Sequence, residues 1–129
     1  MSGLKDATIA LIAHDGKKDD LVSFVVQHSQ WFGNFKLVGT GTTGGRIADK
    51  GIAIECLASG PLGGDAQIAA RITEGRVHAV IFFRDPMGKH PHEPDINMLL
   101  RQCDVHNIPL ATNLATAQLL AGNIAFAGE

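Results

Sequence analysis

The chain has 129 residues, one domain's worth at about 100–200 residues per domain, and enough to bury a core without disulfides or a structural metal. With 11 Lys+Arg against 13 Asp+Glu the formal net charge is -2, which excludes a general electrostatic hold on nucleic acid or anionic lipid and makes any anion site local. The 15 glycines, with aromatics at only 5%, suit tight turns and close backbone approach to a small ligand rather than a base-stacking platform.

Met1 to Asp6 lack the apolar stretch of a leader peptide. Thr8 to Ala13 reads as a buried strand. Lys17 to Gln30 places Leu21, Phe24, Val25 and His28 at i, i+3, i+4 and i+7, one face of an amphipathic helix. Lys36 to Gly39 is a second strand, followed by the turn Thr40 to Gly45 and a short helix to about Lys50, with Gly51 as its stop. Ile52 to Ala58 is a third strand and Ser59 to Gly64 a loop. Asp65 to Glu74 is a helix that turns Ile68, Ala69 and Ile72 inward. His78 to Phe83 is a fourth strand, expected at the centre of the sheet by its apolarity. Arg84 to Pro94 is a loop with three prolines, and Asp95 to about His106 a helix with Ile96, Leu99, Leu100 and Cys103 on one face. Ile108 to Ala111 is the fifth strand and Leu114 to Ala121 the last helix. Cys56 and Cys103 both lie in apolar runs and read as reduced, buried thiols. Apolar runs such as Ala79 to Phe83 fall far short of the ~18 residues of a membrane span, so the expectation is a soluble, cytoplasmic protein.

Five β–α units with continuously apolar strands point to a parallel sheet covered on both faces. Right-handed crossovers make it a three-layer α/β/α sandwich, a single domain over residues 1–129. Ligands in such folds bind beyond the carboxyl ends of the strands. The polar residues at those ends are His14-Asp15, the Thr40 to Gly45 turn, Ser59-Gly60, the Arg84 to Asp95 loop and Thr112-Asn113.

Gly39-Thr40-Gly41-Thr42-Thr43-Gly44 formally matches G-x-G-x-x-G. It lies in the second βα unit, however, and no acidic residue ends the next strand, which argues against a dinucleotide. Its physics suits a compact anion cradle. Glycines let backbone N–H groups converge, threonines add hydroxyls, the next helix offers its positive end, and Lys18 brings a full charge. The plainer reading is a tight turn with threonine caps and a solvated lysine. His14-Asp15 reads as an acid/base or electrophile, or as an Asp helix cap beside an incidental His. Asp65, after Gly63-Gly64, reads first as an N-cap. As a general base its charged form would be favoured by the helix end, so it needs fixed dipoles to stabilise the anion it creates. His90-Pro91-His92-Glu93-Pro94-Asp95 packs imidazoles and carboxylates, and the prolines hold His90 and His92 to one side. That set would suit a metal on ligand type, against Asp95 as a cap and His90 as a solvated loop residue. His28, His78 and His106 read as structural.

Taken in order, several motifs resemble the methylglyoxal synthase family over nearly the whole chain. They are Ala13-His14-Asp15-x-x-Lys18, Thr40-Gly41-Thr42-Thr43-Gly44, and Ser59-Gly60-Pro61-x-Gly63-Gly64-Asp65. Asp85-Pro86, then Pro91-His92-x-Pro94-Asp95, then Ile108-Pro109-x-Ala111-Thr112-Asn113 complete them. The resemblance implies a five-stranded parallel sheet of order 3-2-1-4-5 and a cytoplasmic homohexamer. It also implies a lyase, with no metal and no other cofactor, that converts dihydroxyacetone phosphate to methylglyoxal and inorganic phosphate as a bypass of glycolysis. Phosphate is then expected as product and as a candidate inhibitor, with neither nucleic acid nor membrane as partner. The resemblance carries the catalytic carboxylate to Asp65, the active-site histidines to His14 and His92, and supporting carboxylates to Asp15, Asp85 and Asp95. It carries phosphate contacts to Lys18, Thr40, Gly41, Thr42, Thr43, Ser59 and Gly60.

In that reaction Asp65 removes a proton alpha to the ketone, assigned to the carbon bearing the phosphate ester. A neutral imidazole, His92 or His14, donates to the enediolate oxygen, with Asp95 and Asp15 fixing tautomer and orientation. The cradle holds the ester C–O bond in line with the enediolate π system so that phosphate leaves. His90 lies outside the family pattern. Two other readings share the fold or the substrate class. A regulatory phosphate sensor, like the domain of carbamoyl phosphate synthetase, has no need of His14, Asp65, His92 and Asp95. A phosphosugar isomerase would keep the phosphate.

Overall fold

The computed structural model describes residues 7–88 and 93–121. Apolar runs without polar alternation become strands covered on both faces. β1 (Thr8–Ala13) and β4 (Ala79–Phe83) are the clearest, and every residue of β4 is buried. They pair in parallel, from Ile9 opposite Ala79 to Ala13 opposite Phe83. β2 (Lys36–Thr40) lies on the other side of β1, β3 (Glu55–Leu57) forms one edge, and β5 (Leu110–Ala111) forms the other. The sheet is five-stranded and parallel, in the order β3-β2-β1-β4-β5. The three-layer sandwich and the strand order expected from the sequence are those found.

Alternate residues of the central strands feed two separate cores. On one face Ile9, Leu11, Ile81 and Phe83 meet Leu21, Phe24 and Val25 of α1 (Lys18–Gln27), Ile47 of α3 (Gly41–Ala48) and Ala117 of α6 (Leu114–Ala121). On the other, Ala10, Ile12, Val80 and Phe82 meet Ile68 and Ile72 of α4 (Gly64–Thr73) and Ile96, Leu99 and Cys103 of α5 (Glu93–Val105). Each large apolar side chain so buried contributes about 1.5–3 kcal/mol. These layers make the sheet a rigid platform, and its strand ends present the polar residues.

Several elements differ from the sequence expectation. The helix expected over residues 17–30 breaks at His28, whose backbone leaves the helical region, and a short α2 (Ser29–Phe32) follows. The break lets Phe32 bury its ring edge-on against Phe24, with centroids 5.8 Å apart. β3 has three residues rather than the seven of 52–58, since Ile52 and Ile54 pack against the core without joining the ladder. Cys56, in this edge strand, is exposed rather than buried. Cys103 is buried as expected, and burial, then the neighbouring Asp104 carboxylate, pushes its thiol up to about 11. α5 begins at Glu93 with Pro94 in its first turn, where the missing N–H has no helical partner to lose. Asp95 therefore sits inside the helix and is not its cap. The His78 imidazole has the structural role expected, accepting the Thr8 N–H at Nδ1 (3.0 Å). No helix among the described residues is long and apolar enough to cross a membrane.

Candidate active site

The chain leaves β1 toward β2 on one side, and later returns to β4 on the other. That change of direction opens a crevice at the strand ends, where doubly wound sheets bind ligands. A cavity of about 480 Å³ lies there. Its lining brings together His14, Asp15, Lys18, Thr40, Gly41, Thr42, Thr43, Ser59, Gly60, Asp65 and Asp85. These eleven sequence candidates come from five separate segments, so only the fold assembles them. Asp95 is placed in the first turn of α5 and is not among the lining residues. His90, Pro91 and His92 lie outside the described residues.

His14 follows the last residue of β1, and its amide extends the ladder to the Phe83 carbonyl (3.1 Å). Its ring packs edge-on against Phe82, with centroids 5.0 Å apart. The backbone N–H of Asp85 donates to His14 Nδ1 at 2.8 Å. An Nδ1 that accepts carries no proton, so the neutral ring holds its proton on Nε2. The Asp85 amide thus fixes the His14 tautomer, a contact that the sequence does not mark. The amide is itself held by a turn, in which Met87 N–H donates to Asp85 Oδ1 at 3.0 Å.

Asp15 does not cap a helix. It opens a one-turn 3-10 segment (Asp15–Lys17) without a side-chain cap bond. Its carboxylate accepts from Lys18 Nζ at 2.6 Å, and the same ammonium donates to Thr42 Oγ1 at 2.8 Å. Lys18 is thereby pinned between the first and second βα turns, with its side chain only 20% exposed. Next to it, Arg46 of α3 pairs with Asp19.

The Gly/Thr turn is tighter than a loop, since α3 begins at Gly41 and the threonines lie in its first turn. Gly41 has φ +49, and a Cβ there would meet the Ser59 Cβ at 2.8 Å. Only glycine lets the Gly/Thr turn and the Ser59 turn touch at this point. Its N–H donates to the Ala58 carbonyl at 3.2 Å. Thr43 is buried, and its Oγ1 has no hydrogen-bond partner in the structure. A buried hydroxyl at the positive end of a helix is suited to a ligand oxygen.

Asp65 is not the N-cap. Gly63 (φ +104) precedes the helix, α4 starts at Gly64, and Asp65 lies in the first turn, fully buried, against the cavity. Gly64 allows this placement, because a Cβ there would lie 2.0 Å from the Ala58 carbonyl oxygen. Sequence reasoning missed the Asp85 amide, the lining role of Gly16 and Gly88, and two α4 side chains that hold β3 and the residue after it. One of these is Gln67, which accepts the Ala58 N–H at 3.0 Å. The other is Arg71, paired with Glu55 through bonds of 2.9 and 2.7 Å. Those paired hydrogen bonds, aided by the charges of Arg71 and Arg76 and opposed by slight burial, hold the Glu55 carboxyl below its usual range. The same bonds raise Arg71. A regular spacing of Gln67 and Arg71 one turn apart was the only trace in the sequence.

Fold and cavity thus define a doubly wound α/β/α domain with a cavity lined by glycines and threonines beside a buried carboxylate. The family model described as MGS-like domain matches residues 20–112. The chain is 57% identical over 118 residues to the methylglyoxal synthase of Cupriavidus taiwanensis, covering 91% of this chain and 89% of that one. It is 60% identical over 112 residues to the methylglyoxal synthase of Moorella thermoacetica, covering 86% and 88%. A crystal structure of methylglyoxal synthase from Elizabethkingia anophelis NUHP1 superposes with a TM-score of 0.88 at 42% identity, over 95% of this chain and 82% of that one. The chain belongs to the methylglyoxal synthase family, an enzyme family of the lyase class.

Proposed function

We propose that the protein converts dihydroxyacetone phosphate to methylglyoxal and inorganic phosphate through an enediolate, with Asp65 as general base. The observation that carries this reading is one cavity holding three things: the buried Asp65 carboxylate, a His14 ring with Nδ1 already occupied, and an anion cradle. Lys18, Thr40, Gly41, Thr42, Thr43, Ser59 and Gly60 receive the phosphate.

The electron count corrects one expectation from the sequence. The proton removed must come from the hydroxymethyl carbon, not from the carbon bearing the ester. Loss from the ester carbon would leave phosphate on a vinylic carbon, with no π system behind the C–O bond to expel it. Loss from the hydroxymethyl carbon leaves the ester on the carbon next to the enediolate double bond. Those electrons then shift, the C–O bond breaks, and phosphate departs with the bonding pair. Phosphate takes the equivalent of the proton given up, and the enol aldehyde left behind tautomerises to methylglyoxal. Atoms and charge balance without oxidant or added water.

Each residue's role follows from its place. Asp65 takes the proton. His14 donates from Nε2 to the oxygen on which charge develops, as a neutral imidazole can. His92, with Asp95, joins it by the family motif. The fixed amides and Lys18 hold the phosphate so that the breaking bond stays aligned with the π system. Asp15 orients Lys18 and Asp85 orients His14. Exposed Leu62, Leu114 and Leu119 supply apolar surface for the cytoplasmic homohexamer the family resemblance implies. Phosphate, as product, competes for its own cradle.

The test is a paired product assay on metal-stripped protein supplied with dihydroxyacetone phosphate. Equal yields of methylglyoxal and phosphate support the reading. Glyceraldehyde phosphate with phosphate retained would make it an isomerase. Phosphate binding without turnover would make it a sensor.

A further inference from the structure

The helix that carries Asp65 also grips the strand that delivers Ser59 and Gly60. Two residues after Asp65, the Gln67 side chain turns back to the chain, and its Oε1 accepts the Ala58 N–H at 3.0 Å. One turn further along α4, Arg71 holds Glu55 at the start of β3. β3 is an edge strand, so no further strand lies beyond it among the described residues to do this work. Ala58 in turn supports both anion-binding turns. Its carbonyl accepts the Gly41 N–H at 3.2 Å, and the next carbonyl, of Ser59, accepts the Gly64 N–H at 2.8 Å. The strip Ala58-Ser59 is the shared backing of the phosphate turns, and Gln67 is the side chain that ties it to the helix of the base.

We propose that Gln67 is a positioning residue that sets the angle between the bound phosphate and Asp65, and so favours elimination over return of the proton to the enediolate. This inference rests on the assignment of the two turns as the phosphate site. Gln67 touches no reacting atom and acts through the Ala58 amide. An enediolate whose ester bond is poorly aligned has a second fate, reprotonation. In deuterated buffer that fate is recorded as deuterium in the recovered substrate.

The experiment compares the parent with Gln67→Met, which keeps length and bulk without the acceptor, and Gln67→Glu, which keeps an acceptor oxygen. Deuterium incorporation and phosphate release from dihydroxyacetone phosphate are measured together in deuterated buffer. Affinity for inorganic phosphate is measured by calorimetry. One hydrogen bond of ordinary net strength corresponds to a factor of about five. Gln67→Met is expected to raise the exchange-to-release ratio about fivefold and to weaken phosphate binding by a similar factor. Gln67→Glu is expected to restore the ratio, whatever its added charge does to binding. An unchanged ratio and affinity in Gln67→Met would overturn the proposal, and so would a Gln67→Glu ratio equal to that of Gln67→Met. A parent that releases no phosphate would overturn the functional reading instead, and the phosphate affinities would still decide the role of Gln67.

Discussion

At Gly64 the helix that carries Asp65 lies against the backbone of Ala58 and Ser59. Gly64→Ala would place a methyl carbon 2.0 Å from the Ala58 carbonyl oxygen. An ordinary carbon–oxygen contact is about 3.3 Å, so helix and turn must separate by roughly 1.3 Å. Both sides of this clash are backbone, and no rotamer change relieves it. Overpacking of this kind costs about 1–3 kcal/mol or somewhat more. At about 2.1 cal/mol/K per residue for unfolding, that corresponds to a loss of roughly 4–11 °C in Tm for this chain. The same displacement moves Asp65 away from Ser59 and Gly60, and a misplacement of about 1 Å can cost a factor of about 100 in rate. Gly45→Ala is the control, because a Cβ there meets nothing within 4 Å and the position is helical. It is expected to raise Tm by roughly 2–4 °C, the equivalent of about 0.5–1 kcal/mol, with turnover unchanged. The assay is a thermal melt of both variants, with phosphate release measured well below either transition. If Gly64→Ala melts with the parent and turns over as fast, or if the two alanines behave alike, the close approach is not what organises the site.

Lys18→Met removes the ammonium that joins Asp15 to Thr42. A hydrogen bond to a charged group contributes about 1.5–3 kcal/mol, so phosphate affinity by calorimetry should fall by a factor of about 10–150 while Tm changes little. Equal affinity in the variant would remove Lys18 from the cradle. The Cys103 thiol is raised from 9.0 to about 11 by burial and Asp104. Its contribution to stability is complete below the unfolded value and is lost as pH rises from about 9 toward 11. Urea midpoints should therefore fall across that interval in the parent, and the fall should be smaller in Cys103→Ala, which starts from a lower stability. Identical pH slopes would contradict the assignment.

What the sequence made legible follows from which forces act locally. Thr8 to Ala13 is found with the same bounds because both faces are buried, and an unbroken apolar run records that directly. Leu114 to Ala121 is likewise found as read. β3 is shorter than its apolar run suggests, since Ile52 and Ile54 pack against the core without joining the ladder. Much of the cavity's lining was legible because strand ends are marked by polar residues, and the fold delivers those ends to one edge. The holding interactions were not. The Asp85 amide reaches His14 across 71 positions, and Gln67 bonds backbone rather than a partner side chain. The first leaves no pattern of spacing or charge, and the second only the one-turn spacing of Gln67 and Arg71. Asp65 illustrates both cases. Its type and position after two glycines marked it, but only the structure separates a buried first-turn carboxylate from a cap.

The most direct test concerns Asp65. Asp65→Asn keeps the shape of a fully buried side chain and removes the basic oxygen. Parent and variant, both stripped of metal, are given dihydroxyacetone phosphate while methylglyoxal and phosphate are quantified from one tube and phosphate affinity is measured alongside. The account predicts matched yields of both products from the parent, and none above background from Asp65→Asn, whose phosphate affinity stays within about threefold, because a neutral isostere leaves the cradle's hydrogen bonds in place. Elimination that persists in Asp65→Asn, or phosphate binding that disappears together with activity, would contradict Asp65 as the base.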